Sequence, residues 1–215
     1  MANSSDAFWG RLSGRIGNLV VYQMYGKTVV RSRPAKRSKQ ATGLLKASQD
    51  GFKEVVAVLS RCKHLLRLGF AAEAVNRSAW QAALSANLKN YREVENKTLD
   101  NWLQLSKGTR DMADDWQVSQ NQDEQLVITW KQLPRFNSWL NDKLVVFILP
   151  EAPSKQSLIE ITSARRSQEQ AVLDIDLSKM GNTAEIFTAF IAADYNGNLK
   201  PKGISNSMWA GKLNL

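Results

Sequence analysis

Gln125-Leu126-Val127-Ile128-Thr129-Trp130-Lys131 decides how the second half of this chain is read. Val127, Thr129 and Lys131 alternate with Ile128 and Trp130, the two-residue period of a strand with one buried and one wet face. Leu173, Ile175 and Leu177 alternate with Asp174 and Asp176 in the same way. Between them lies Leu144-Val145-Val146-Phe147-Ile148-Leu149, six aliphatic or aromatic residues in a row. That length suits a buried strand and falls far short of the roughly 20 residues a membrane helix needs. Strands are expected over 101–106, 112–119, 125–131, 143–149, 157–164, 169–177, 184–194 and 205–215. Turn signals separate them, among them Lys107-Gly108, Asn141-Asp142 and Asn196-Gly197-Asn198. Short strands at this spacing predict an immunoglobulin- or fibronectin-like antiparallel β-sandwich, with Trp130 in its core and no disulfide.

Upstream the text differs. Residues 18–24 and 27–32 are β-rich and flank Tyr25-Gly26, a tight-turn signal, so a β-hairpin is expected there. Pro34 ends the second strand, because it has no N–H to give a ladder. A lone two-stranded hairpin is marginal in water and needs something to pack on. From Thr42 the period becomes helical. Leu45, Phe52, Val55, Val56, Leu59, Cys62, Leu66 and Phe70 share a face, Gly51 is a candidate bend, and Gly69 is a stop signal. A second helix follows, capped by Asn76 or Ser78, with Ala79, Trp80, Ala83, Leu84, Leu88 and Tyr91 on its apolar side. The expected fold is therefore α+β: a hairpin with a basic arm, an antiparallel helical pair over 42–92, and the sandwich. Domains are expected at 1–97 and 98–215.

The chain has 215 residues, 29 Lys+Arg, 20 Asp+Glu, one His and one Cys, for a formal net charge of +9. Residues 1–110 hold 19 cations and 7 acids, whereas 111–215 hold 10 and 13. The densest stretch, Arg31-Ser32-Arg33-Pro34-Ala35-Lys36-Arg37-Ser38-Lys39, has five cations and no acid. Such a block repels itself and attracts polyanions. It reads as a solvated loop, as a contact for nucleic-acid phosphates, or as a contact for an acidic protein face. The candidate contact residues are Arg11, Arg15, Lys27, Arg31, Arg33, Lys36, Arg37 and Lys39. Phe8, Trp9, Tyr22 and Tyr25 are interleaved with them, and rings in a cationic groove hold single strands. The same rings also suit packing against the hairpin or a neighbouring subunit.

Several chemistries are excluded or unsupported. One Cys and one His make neither a disulfide nor a standard structural zinc site. Gly26-Lys27-Thr28 looks like the end of a phosphate-binding loop, but position 21 is Val where that motif requires Gly. Cys62 and His64 are two apart on a helix and face different ways. Asp111, Asp114 and Asp115 suit a solvated turn better than a calcium site, and Asp174 and Asp176 suit the wet face of a strand. Three matches to the N-glycosylation triplet carry no weight without a secretion signal. No catalytic residue, metal, cofactor or small-molecule substrate is indicated.

Gly14-Arg15-Ile16-Gly17-Asn18-Leu19-Val20 and Gly26-Lys27-Thr28-Val29-Val30-Arg31-Ser32-Arg33-Pro34 resemble a family of uncharacterised Bacteroidota proteins and associated phage, a domain of unknown function. Trp102-Leu103-Gln104-Leu105-Ser106-Lys107-Gly108, Ile128-Thr129-Trp130 and Ser205-Asn206-Ser207-Met208-Trp209-Ala210-Gly211 extend the resemblance over nearly the whole chain. It implies a bacterial or phage source and a helical segment joined to a β-sandwich, and brings no activity. Met208-Trp209 stands where the resemblance leads one to expect a tyrosine-containing strand, a change in packing rather than chemistry. The expected function is a non-enzymatic structural or assembly protein, cytoplasmic or in a virion-like particle. Its expected partners are copies of itself or a larger assembly, with nucleic acid as a further partner and no membrane. The alternative is a stand-alone cytoplasmic protein that binds nucleic-acid backbones.

Overall fold

The computed structural model describes residues 2–4 (backbone only), 13–35, 42–131, 139–152, 155–175, 180–194 and 197–214. The chain divides into two compact units, Met1–Ala47 and Ser48–Leu215. The division falls inside the first long helix. The helices after Ala47 share a core with the strands.

The first unit is a small antiparallel sheet. Strands β1 (Ala2–Ser4), β2 (Gly14–Ile16), β3 (Leu19–Met24) and β4 (Lys27–Ser32) lie in the order β1-β4-β3-β2. The expected hairpin is its centre, with Met24 opposite Lys27 across the two-residue turn. Tyr25 and Gly26 have φ of 50° and 75°. Two positive φ values give the twist that matches paired strands, and the glycine makes the second of them easy. The hairpin is not isolated, because β1 and β2 flank it.

The second unit is built in three layers. Helix α1 (Gly43–Arg61) enters it and is followed by α2 (Lys63–Gly69), α3 (Ala79–Glu93) and the short α4 (Leu99–Trp102). Helix α1 runs unbroken through Gly51, the candidate bend. A Cβ at Gly51 would stand 3.0 Å from the Tyr91 ring, so the glycine makes room for α3. The helix breaks at Cys62. Ser78 caps α3 in a reciprocal box with Gln81, which satisfies two N-terminal backbone N–H groups. Gly69 ends α2 as expected, with a second constraint: a Cβ there would lie 1.9 Å from the Leu105 carbonyl oxygen.

The strands of this unit are β5 (Asp114–Gln120), β6 (Leu126–Lys131), β7 (Lys143–Pro150), β8 (Leu158–Arg165), β9 (Gln170–Leu173), β10 (Thr183–Ala193), β11 (Leu199–Ile204) and β12 (Met208–Asn214). One sheet runs β11-β10-β7-β8, with β12 also on β10, and the other runs β5-β6-β9. Every paired strand is antiparallel. Leu144, Val146, Ile148, Ala184, Ile186 and Phe190 face the smaller sheet and share a core with Leu126, Ile128, Trp130, Ala171 and Leu173. The alternate residues Val145, Phe147, Leu149, Phe187, Ala189 and Ile191 share a core with Val55, Leu59, Leu65, Leu66 and Phe70 of the helices. Both faces of β7 are thus covered, which is why its sequence is a continuous apolar run. Burying one of these side chains contributes about 1.5–3 kcal/mol, so the central sheet anchors both cores.

Three expected strands change. Residues 101–106 are not a strand: α4 occupies the start, and the rest runs extended against α3. Asn87, fully buried, donates to the Gln104 carbonyl and accepts from its N–H at 2.7 Å. Ser207 Oγ accepts from Leu105 and Ser106. Side chains thus take the ladder's role there. The expected strand 205–215 is β12 at 208–214, and β11 at 199–204 precedes it. The 169–177 strand is β9 at 170–173, and its expected residues 176 and 177 lie outside the described residues.

Candidate nucleic-acid interface

Register fixes the face on which each side chain of the small sheet lies. Arg15 is opposite Val20, and Val20 is opposite Arg31. Tyr22 is opposite Val29, and Met24 is opposite Lys27. Opposed residues share a face, and residues two apart share it too. One face therefore carries Arg15, Lys27 and Arg31 together with Val20, Tyr22, Met24 and Val29. The other carries Ile16, Leu19, Val21, Gln23, Thr28, Val30 and Ser32, none of them ionisable. Strand alternation has sorted the cations to one side.

Arg15, Lys27, Arg31 and Arg33 are exposed. The Arg15 Nε donates to the Gly17 carbonyl at 3.2 Å, which holds the guanidinium near the β2–β3 turn. The Arg31 guanidinium lies 5.6 Å from the centre of the half-buried Tyr22 ring, within cation–π range. Arg33 follows β4, and its backbone N–H donates to the Asn18 carbonyl at 2.7 Å. Arg11, Lys36, Arg37 and Lys39, with Phe8 and Trp9, lie outside the described residues. Lys27 and Thr28 lie in a strand, with Thr28 hydrogen-bonded to Gln23, which is not the loop-to-helix geometry of a phosphate-binding loop.

Charge separates the units sharply. Met1–Ala47 holds 9 of the 29 Lys+Arg and 1 of the 20 Asp+Glu, a net of +8, leaving +1 for Ser48–Leu215. Between residues 13 and 35 there is no acid at all. A cationic face of this kind attracts phosphates, and the described residues 13–35 contain no acid to neutralise it.

In the second unit, the sequence-level candidates are structural. Cys62 is buried, and desolvation pushes its thiol up to about 12, against the opposing charge of Arg61, so it is no nucleophile at neutral pH. His64 Nε2 lies 2.9 Å from the Ser157 carbonyl oxygen. Asp115 pairs with Lys131 at 2.7 Å. No cluster of three or more His, Cys, Asp and Glu side chains suited to a metal occurs among the described residues.

Two buried charged side chains, Arg166 and Asp142, give no signal in the sequence. Arg166 is 1% exposed, lies 4.0 Å over the Phe190 ring and donates to the Asp111 carbonyl. Arg110 Nε stands 3.8 Å from the buried Asp142 carboxylate and stacks on Trp139 at 4.7 Å. Burial raises the Asp142 carboxyl above its usual range, against the pull of Arg110 and Arg166. Burial likewise lowers Arg166, against the pull of Asp142 and Asp111. The Arg166 backbone is tied to both neighbouring strands, donating to the Asp142 carbonyl at 2.8 Å and accepting from the Trp130 indole at 3.0 Å. This is a clamp between strands, and nothing in Ala164-Arg165-Arg166-Ser167 marks which arginine goes inward. A nearby cleft of about 280 Å³, lined by Asn141, Lys143, Arg165, Ala193, Asp194 and Gly197, is polar. Arg165 there is bonded to Asn141, and Lys143 to the Gly197 carbonyl.

Together these features define a mostly β protein with helices, in which the described small sheet carries Arg15, Lys27 and Arg31 on one face. The chain belongs to DUF6266, a family of unknown function whose pattern matches residues 10–211. No curated protein and no solved structure matches the chain significantly. Among the described residues, no helix is long and apolar enough to cross a membrane.

Proposed function

We propose that this chain is a non-enzymatic structural protein whose N-terminal basic sheet contacts nucleic-acid phosphates. The observation that carries the reading is the placement of Arg15, Lys27 and Arg31 on one sheet face with no acid between residues 13 and 35. The second unit supplies the body. Its paired sheets are read as an immunoglobulin- or fibronectin-like sandwich that has gained a helical layer. A body whose buried polar groups act as clamps supports a scaffolding role in a larger assembly, of the kind a bacterial or phage particle uses. A second reading is contact with a neighbouring subunit. Ile16 and Leu19, directly opposed and 50% and 44% exposed on the uncharged face, favour it.

The test is size-exclusion chromatography with light scattering, following the ultraviolet absorbance of protein and nucleic acid together. Nucleic acid that co-elutes at low salt and is stripped by high salt is the expected result. A discrete multimer free of nucleic acid, unable to bind added oligonucleotide at low salt, overturns the phosphate contact and favours the subunit reading.

A further inference from the structure

We infer that the polyanion this sheet takes is single-stranded nucleic acid, laid across the Arg15–Tyr22–Arg31 face with a base stacked on Tyr22. This deepens the phosphate-binding reading and rests on it.

Tyr22 is on β3, an inner strand, and the cations lie on both sides of it: Arg15 on β2, Arg31 and Lys27 on β4. At a strand spacing of about 4.8 Å, β2 and β4 are roughly 10 Å apart. A ring flanked by cations at that separation is the arrangement of a stacking platform with a phosphate track beside it. Arg31 lies 5.6 Å from the Tyr22 ring centre, so its guanidinium neighbours the ring it would share with a stacked base.

A duplex uses this face poorly. The major groove is about 12 Å wide and admits a helix or a two-stranded ribbon. Four strands at about 4.8 Å place the outer strand axes about 14 Å apart before side chains are counted, so the sheet cannot enter. Laid flat on a duplex, it reaches phosphates alone, and Tyr22 meets no base because the bases are stacked on each other. A single strand offers both its phosphates and its unstacked bases to one flat face.

The test is fluorescence anisotropy of the full chain with labelled oligothymidylate, oligouridylate and a duplex of equal length, at one fixed salt concentration. Both single strands should bind about tenfold or more tighter than the duplex, because stacking adds to the phosphate contacts. Comparable affinity for the two is expected, since ring stacking does not read the 2′-hydroxyl. Tyr22→Leu keeps an apolar side chain on the strand but removes the ring. It should lower single-strand affinity to the duplex level and leave duplex binding alone, whereas Tyr22→Phe should retain the preference. Duplex binding as tight as single-strand binding, or a Tyr22→Leu chain that keeps the preference, overturns this inference while the phosphate contact stands. Failure to bind either form at low salt overturns both.

Discussion

Strands β4 and β7 show how differently the two units spend the same secondary structure. In β7, every residue from Leu144 to Leu149 is buried, odd positions against helices and even positions against the second sheet. In β4, Thr28 and Val29 are buried while Lys27 and Arg31 stand in solvent. Several cations of the second unit are paired with acids: Lys131 with Asp115, Lys212 with Glu151 and Glu185, Arg110 with Asp142. The cations described in the first unit have no acid within reach in sequence. Near-equal numbers of both signs in one unit, against a cation excess in the other, are the physical ground for proposing the sheet as the binding surface.

The contrast breaks most visibly if the body is damaged and binding goes with it. Trp130→Ala removes a buried ring packed on Trp116 and Phe190 and a hydrogen bond to the Arg166 carbonyl. It should cost about 3–5 kcal/mol in denaturant unfolding. Nucleic-acid affinity of the molecules that remain folded should not change. Next in size is the combined Arg15→Gln, Lys27→Gln, Arg31→Gln protein. Three lost phosphate contacts should lower affinity about a hundredfold near 0.1 M salt, with the body's melting temperature unmoved.

Smaller effects sharpen the body's side. Ser78→Ala removes the α3 cap and should cost about 1 kcal/mol by the same unfolding measurement. The smallest concerns pH. Burial raises the Asp142 carboxyl in the folded protein, so it holds its proton more tightly there than when unfolded. Its contribution favours folding below the ordinary carboxylate value and is lost as pH rises through the folded one. The stability of the native protein relative to Asp142→Asn should therefore fall as pH rises across that range, read from denaturant melts at successive pH values.

What the residues announced, and what they hid, follows from how local each cause is. The Tyr25-Gly26 turn, the Ser78 cap and the buried β7 run rest on nearest neighbours, and each was legible. Asn87 was not, since a polar residue on a helix gives no sign that it will hold the backbone of Gln104 instead of water. The apolar spacing of Trp102, Leu103 and Leu105 looks like a strand because an extended segment fastened by side chains buries the same positions. β11 was hidden by Lys200, Pro201 and Lys202. Its pairing with β10 is irregular between Ala192 and Ile191, which leaves Pro201 outside the ladder. The amphipathic helices were visible, but not that their apolar side would close the far face of a sheet. At the interface, the cations were legible as a cluster. Their sorting onto the Tyr22 side needed the register, which only the turn geometry fixes.

The salt dependence of oligothymidylate binding tests the central claim most directly. Log affinity of the intact chain should fall linearly with log salt, and Arg31→Gln should make this slope shallower by about 0.7, the value for one single-strand phosphate. An affinity that does not respond to salt, or a slope that Arg31→Gln leaves unchanged, would contradict it.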